Sequence, residues 1–284
     1  MRVLVLGAKG MLGTDILEVW KSDEVIPADA AEADIRNAEE VRSLVSKVRP
    51  SWIVLAAAYT DVDGSEENSG VAFAVNATGA ENVARMASEF GARLFYISTD
   101  YVFDGSSTVP YEPTDAVRPL NVYGASKAAG EQAVQRFARE WCIGRTSWLF
   151  GAQGTSFPEK ILKACESRKE LEVVDDQVGS PTFTKDLAEA MLQLLHADAR
   201  GVVHITNSGT CSWFEFAQEI LRHAGRTSVR VIPVSSAAHP RVARRPAYSV
   251  LSQSHLAKFG ITMRNWKETI PVYLMDLRKA GKLQ

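Results

Sequence analysis

Cysteine is scarce in this 284-residue chain: there are three, Cys142, Cys165 and Cys211. Their odd number and the lack of CxxC spacing exclude a disulfide scaffold and predict reduced, mostly buried thiols in a cytosolic protein. The five histidines form neither an HxxxH pair nor a Cys/His cluster, so no required metal is expected. No stretch reaches the about 18 apolar residues that a membrane helix needs. The chain opens on a strand-like run at residues 3–6 with no secretory apolar region ahead of it, which again points to the cytoplasm. An excess of either charge is missing too. With 32 Lys and Arg against 34 Asp and Glu, the net charge of −2 offers no field to attract nucleic acid. Low-complexity tracts and internal repeats are absent.

What remains is an ordinary globular composition, 46% hydrophobic and 23% charged, long enough for one large domain or a domain plus a smaller lobe. The charge is uneven along the chain. Residues 220–267 contain no acid but nine cations: Arg222, Arg226, Arg230, Arg241, Arg244, Arg245, Lys258, Arg264 and Lys267. Two readings stay open: a basic face packed beside acidic neighbours, or a set of guanidinium forks that neutralise an anionic ligand.

Short apolar runs at 2–6, 24–27, 52–57, 93–98 and 141–145 alternate with helical patterns at 12–20, 38–48, 71–90 and 123–140. Strands alternating with helices of this length predict right-handed βαβ crossovers and a parallel sheet covered on both faces. After residue 150 glycine and proline break the rhythm, and helices are expected at 157–166, 184–195 and 212–224. The expected fold is α/β: a Rossmann-type doubly wound sheet over residues 1–150, with a smaller interleaved α/β substrate lobe over 151–284.

The segment Gly7-Ala8-Lys9-Gly10-Met11-Leu12-Gly13 follows the first strand and opens the first helix. Glycines there allow a tight turn and close approach of the backbone to a diphosphate, whose charge meets a helix N-terminus. Asp29 ends the second strand about 20 residues on, where a carboxylate accepts from an adenosine ribose hydroxyl. An acid at that point favours NADH, although NADPH stays open. Asp34 and Ile35 border the adenine in this reading; Asp34 is equally readable as the N-cap of the helix at Ala38. The small residues Ala56, Ala57 and Ala58 after the third strand leave room for a cofactor.

Tyr123 and Lys127 lie four apart at the start of a helix and so share one face. An adjacent ammonium and an oxidised nicotinamide, both positive, are expected to stabilise the phenolate and bring the phenol nearer working pH. Thr99 ends the fourth strand, at the carboxyl edge where open α/β sheets bind ligands. Thr99, Tyr123 and Lys127 make a Ser/Thr–Tyr–Lys triad, and with it the first 150 residues resemble the extended short-chain dehydrogenase/reductase superfamily.

Longer motifs extend the likeness over nearly the whole chain. AAAYTDVD (56–63), STDYVFDG (98–105), PLNVYGASK (119–127), RTSWLFG (145–151), DDQVGSPTFTKDLA (175–188), HITNSGTCSWFEFA (204–217) and ARRPAYSVLS (243–252) resemble the dTDP-4-dehydrorhamnose reductase family. That resemblance implies reduction of a dTDP-linked 4-keto-6-deoxyhexose to dTDP-L-rhamnose with NADPH or NADH. Tyr123 would be the proton donor, Lys127 would hold the ribose, and Thr99 would share the keto oxygen. Tyr59 would join the cofactor residues. Asp100 and Trp148 would line the sugar pocket, and Val62 and Arg245 would face the nucleotide.

Related sugar-nucleotide dehydratases carry an Asp-Glu pair after the Thr; here Tyr101 stands at the Glu position, which fits reduction and not dehydration. Asp15 matches a position that holds magnesium between subunits in some relatives, but Lys185 falls where another such relative has an acid. A monomer or weak homodimer without a required metal is therefore expected. The regulatory β-subunit of methionine adenosyltransferase resembles the same family, which keeps a non-catalytic, partner-binding role open, as does another sugar-nucleotide keto-reductase or epimerase.

Overall fold

The computed structural model describes residues 1–283; residue 284, the last of the expected second lobe, lies outside them. Six parallel strands form the central sheet: β1 (Arg2–Leu6), β2 (Glu24–Ala28), β3 (Trp52–Leu55), β4 (Arg93–Thr99), β5 (Trp141–Thr146) and β7 (Gly201–His204). Their spatial order is β7-β5-β4-β3-β1-β2. The order reverses between β1 and β3, which opens a crevice beyond their carboxyl ends.

Alternate residues of each strand feed opposite cores, as a doubly covered sheet requires. Val3, Val5, Trp52, Val54, Phe95 and Ile97 pack under α1 (Met11–Val19) and α5 (Thr184–His196). Leu4, Leu6, Ile53, Leu55, Leu94 and Tyr96 pack under α2 (Ala38–Val48) and α3 (Gly79–Phe90). Pro27, which has no N–H to donate, sits in the edge strand β2, where the missing bond is tolerated.

A third core gathers Phe150, Phe183, Phe216, Trp266 and Tyr273 with α6 (Trp213–His223) and α7 (Trp266–Lys279). Beside it β6 (Glu170–Val174) pairs with β8 (Arg230–Val234) in a small parallel sheet. The chain does not stay in this lobe. It returns α5 and β7 to the large sheet, and the Trp20 indole N–H donates to the Ala188 carbonyl across α1 and α5 at 2.8 Å.

The structure departs from the sequence expectation at residues 71–90. The single helix expected there is Ser69–Phe73, a π-helical turn at Ala74–Thr78, and then α3. The cause is Asn76. Its amide holds the backbone N–H and C=O of Tyr59 and the Ser126 hydroxyl, and its own carbonyl accepts from the Tyr96 hydroxyl at 3.1 Å. With these groups bound outside the helix, the local ladder takes a wider turn. The catalytic-helix candidate α4 is Val122–Phe137, shorter than 123–140, because Ala138 turns to extended backbone. Among the described residues no helix is long and apolar enough to cross a membrane.

Candidate active site

The glycine turn leaves β1 with Gly7 at φ +89, a conformation that favours glycine. A Cβ on Gly7 would lie 2.5 Å from the Ala57 nitrogen, and one on Gly13 would lie 2.2 Å from the Gly7 carbonyl oxygen. Helix α1 starts at Gly10 with no side-chain cap, so its first N–H groups face the crevice. The Asp29 carboxylate accepts from the Lys9 N–H at 3.0 Å and sits beside the turn. This bare, concave backbone fits a dinucleotide diphosphate.

The turn is one wall of a cleft of about 840 Å³. Gly7, Gly10, Met11, Leu12, Gly13, Asp29, Asp34, Ile35, Ala57, Ala58 and Val62 reach it from one side. Thr99, Asp100, Tyr123, Lys127 and Trp148 reach it from the other. Two expected residues do not. Tyr59 is tied by its backbone to Asn76 and is not part of the cleft wall. Arg245 faces the adjoining cavity instead, with its guanidinium on Asp63 at 2.9 and 3.0 Å. Asp34 is not the cap of α2: Asn37 is, and Asp34 binds the Arg36 guanidinium at 2.6 Å.

Helix α4 docks its polar face on the end of β4 residue by residue. The Lys127 ammonium donates to the Ile97 carbonyl at 2.6 Å and lies 4.1 Å from the centre of the Tyr96 ring. The Ser98 hydroxyl donates to Glu131 at 2.5 Å. The Tyr123 phenol faces the Thr99 hydroxyl. In the protein alone Lys127 does not lower the phenol: burial pushes Tyr123 up to about 12, with Thr99 offsetting part of it and Asp100 adding to it. Lys127 is pushed down to about 7 by burial, with Glu131 opposing. Burial also raises Asp100 to about 7, while Ser249 and Thr99 pull the other way. Tyr101 rises still further, through burial and then Asp100, so it stays a neutral phenol. With its pKa at about 12, the buried Tyr123 phenol keeps its proton at neutral pH.

Trp148 has φ +47, rare for a large side chain, and stacks on Trp213 with ring centres 3.5 Å apart and planes 7° from parallel. Gly179 makes this possible, since a Cβ there would lie 2.5 Å from the Trp148 indole. The pair joins the third core and walls the cleft at once. Sequence reasoning missed Trp213, although it lies inside the segment 204–217. Trp213 and Tyr101 border both the cleft and a second cavity of about 1050 Å³, whose walls carry Arg168, Arg241, Arg244 and Arg245.

The basic stretch meets acidic neighbours along much of its length. Arg222 and Lys267 pair with Glu219, Arg230 with Glu170, and Arg264 with Asp186. Its middle portion lines the second cavity with Arg241, Arg244 and Arg245, of which Arg241 and Arg245 also pair with Asp63. At Asp15 the carboxyl is buried and bonded to the Thr184 hydroxyl. Lys185 lies between Glu18 and Asp276 at 2.7 and 2.9 Å.

The family model described as RmlD substrate binding domain matches residues 1–279. The chain belongs to that family. It is 40% identical to a dTDP-4-dehydrorhamnose reductase of Mycobacterium tuberculosis over 96% of this chain and 92% of the relative. It is 39% identical to the spore coat polysaccharide biosynthesis protein SpsK of Bacillus subtilis, over 98% of this chain and 99% of that one. The crystal structure of dTDP-4-dehydrorhamnose reductase from Bacillus anthracis in complex with NADP superposes with a TM-score of 0.93 at 38% identity, covering 97% of this chain and 99% of its own. This RmlD family member therefore shares the family fold from end to end, with the glycine turn, the Thr–Tyr–Lys triad and the arginine-walled cavity on one connected surface.

Proposed function

We propose that the chain reduces dTDP-4-dehydro-β-L-rhamnose to dTDP-L-rhamnose, using NADPH or NADH. The observation that carries this reading is the convergence of the Thr99 hydroxyl and the Tyr123 phenol on one cleft that also receives the glycine turn. The kinship with dTDP-4-dehydrorhamnose reductases supplies the substrate class.

A reduced nicotinamide bound in the cleft supplies a hydride to the keto carbon. Gly7, Gly10 and Gly13 admit the diphosphate, Asp29 accepts from the adenosine ribose, and Lys127 holds the ribose next to the nicotinamide. Tyr123 protonates the oxygen as charge builds on it, and Thr99 donates to the same oxygen and orients it. The sugar lies against Trp148 beside Asp100. The nucleotide diphosphate extends past Tyr101 and Trp213 into the second cavity, where Arg241, Arg244 and Arg245 meet its charge. Division into a cofactor part, 1–150, and a substrate part, 151–284, follows this use of the surface. The protein acts in the cytoplasm as a monomer or weak homodimer.

Supplying purified protein with the dTDP-4-keto sugar and each reduced cofactor tests this directly. Loss of the reduced-cofactor absorbance, with dTDP-L-rhamnose as product, is the expected result. No turnover, with a protein partner retained through purification, would favour the non-catalytic regulator instead.

A further inference from the structure

Asp100 is a carboxyl that the reductase steps above leave without chemical work. It is 2% exposed, at the point where β4 runs into a short 3₁₀ turn, Asp100–Val102. One oxygen, Oδ1, accepts from the Thr99 hydroxyl at 3.0 Å. The other, Oδ2, is buried without a well-formed hydrogen bond among the described residues, although Ser249 lies beside the carboxyl. A buried carboxyl oxygen left bare is costly unless the group carries a proton. The Thr99 oxygen is held in place by the Tyr101 backbone N–H, which donates to it at 3.2 Å. The Tyr123 phenol lines the same cleft beside the Thr99 hydroxyl, near enough to act on it, with no hydrogen bond yet formed between them. Carboxyl and hydroxyl are bonded, the phenol lies beside them, and all three residues wall the cleft.

We propose that Asp100 is the proton store that refills Tyr123 through the Thr99 hydroxyl between rounds of keto reduction, a role that rests on the reductase reading. Protonation of the keto oxygen breaks the Tyr123 O–H bond and leaves a phenolate. The Thr99 proton moves to the phenolate oxygen, and the proton on Asp100 moves to the Thr99 oxygen. A hydroxyl has one proton to give and lone pairs to accept another, so this contact runs in either direction. Asp100 is left as a carboxylate and regains its proton from water entering the cleft. No electrons move in the relay.

The groups around Asp100 suit a carboxyl that gains and loses a proton near neutrality. Thr99 and Tyr101 come from its own segment, Tyr123 from α4, and Ser249 from the C-terminal lobe. Two cations stand in the same region: Lys127, in the same cleft and bonded to Ile97, and Arg245, which lies beyond Tyr101 and is bound to Asp63. The carboxyl is pushed up to about 7 by burial, so it holds its proton below that pH and loses it above. Steady-state turnover is expected to fall as pH rises past about 7.

The test compares the full-length wild type with Asp100→Asn on the dTDP-4-keto sugar. In Asp100→Asn steady-state kcat drops about tenfold or more, further than the rate of the first turnover, which draws on the proton already on Tyr123, and kcat no longer falls above neutral pH. Infrared difference spectra of the protein alone should show a carboxyl band that titrates near neutrality in the wild type and is missing from Asp100→Asn. As a second route, Thr99→Val should lose the alkaline fall and Thr99→Ser should restore it. If Asp100→Asn turns over at the wild-type rate, or keeps the alkaline fall, Lys127 sets the profile and the store does not exist. A wild type silent on the keto sugar overturns the reductase reading itself, a result separate from either of these.

Discussion

Glu131 and Arg145 form a two-pronged ion pair inside the protein, at 2.9 and 2.7 Å, with the side chains 4% and 3% exposed. Helix α4 and strand β5 are thereby fastened one turn beyond Lys127. Glu131 also accepts from Ser98, and the Arg145 guanidinium lies 5.1 Å from the centre of the Phe103 ring.

Glu131→Ala should cost about 3–5 kcal/mol, because it strands a buried guanidinium, whereas Glu131→Leu combined with Arg145→Met should recover most of that loss. Urea denaturation of the three proteins checks it. A double variant no more stable than the single one would show that the pair contributes more than mutual neutralisation.

Tyr123→Phe should lower kcat/KM by about 10²–10⁴ while leaving cofactor affinity nearly unchanged, since only the donated proton is removed. Steady-state kinetics together with calorimetric titration of the reduced cofactor separate the two quantities.

Gly13→Ala should abolish cofactor binding and lower Tm, because the added methyl would stand 2.2 Å from the Gly7 carbonyl oxygen. Gly70→Ala is the matched control. It lies in the helix Ser69–Phe73 with nothing within 4 Å of an added Cβ, so a gain of about 0.5–1 kcal/mol is expected there. Cofactor titration and thermal melts read both.

His204 is held neutral by burial and by Arg145 next to it, so its pKa lies at about 3 instead of 6.5. A cation-forming group depressed in the folded state contributes stability that is fully present above pH 6.5 and lost as pH falls toward 3. Melting curves should therefore shift down across that window, and His204→Gln should flatten the slope. An unchanged slope in the variant would assign acid sensitivity elsewhere.

The alternation of apolar strands and helices revealed the large sheet because each strand is buried on both faces and needs no distant partner to be recognised. Thr99, Tyr123 and Lys127 were legible for a similar reason: one is at a strand end and two are at helical spacing. The π-helical turn was not, since Asn76 is steered by Tyr59, Tyr96 and Ser126, which are remote in sequence. Nor was the protonation behaviour of the triad. Spacing suggested a lysine lowering a phenol, but depth of burial governs both groups and moves them toward their neutral forms. Trp213 escaped notice because its importance comes from Trp148, 65 positions earlier in the chain, whose unusual backbone lays one indole flat on the other.

The return of α5 and β7 to the large sheet bears on how this enzyme unfolds. The lobe is therefore joined to the cofactor half by several chain crossings and by the helix packed beneath the sheet, so the two halves are expected to melt together in a single transition.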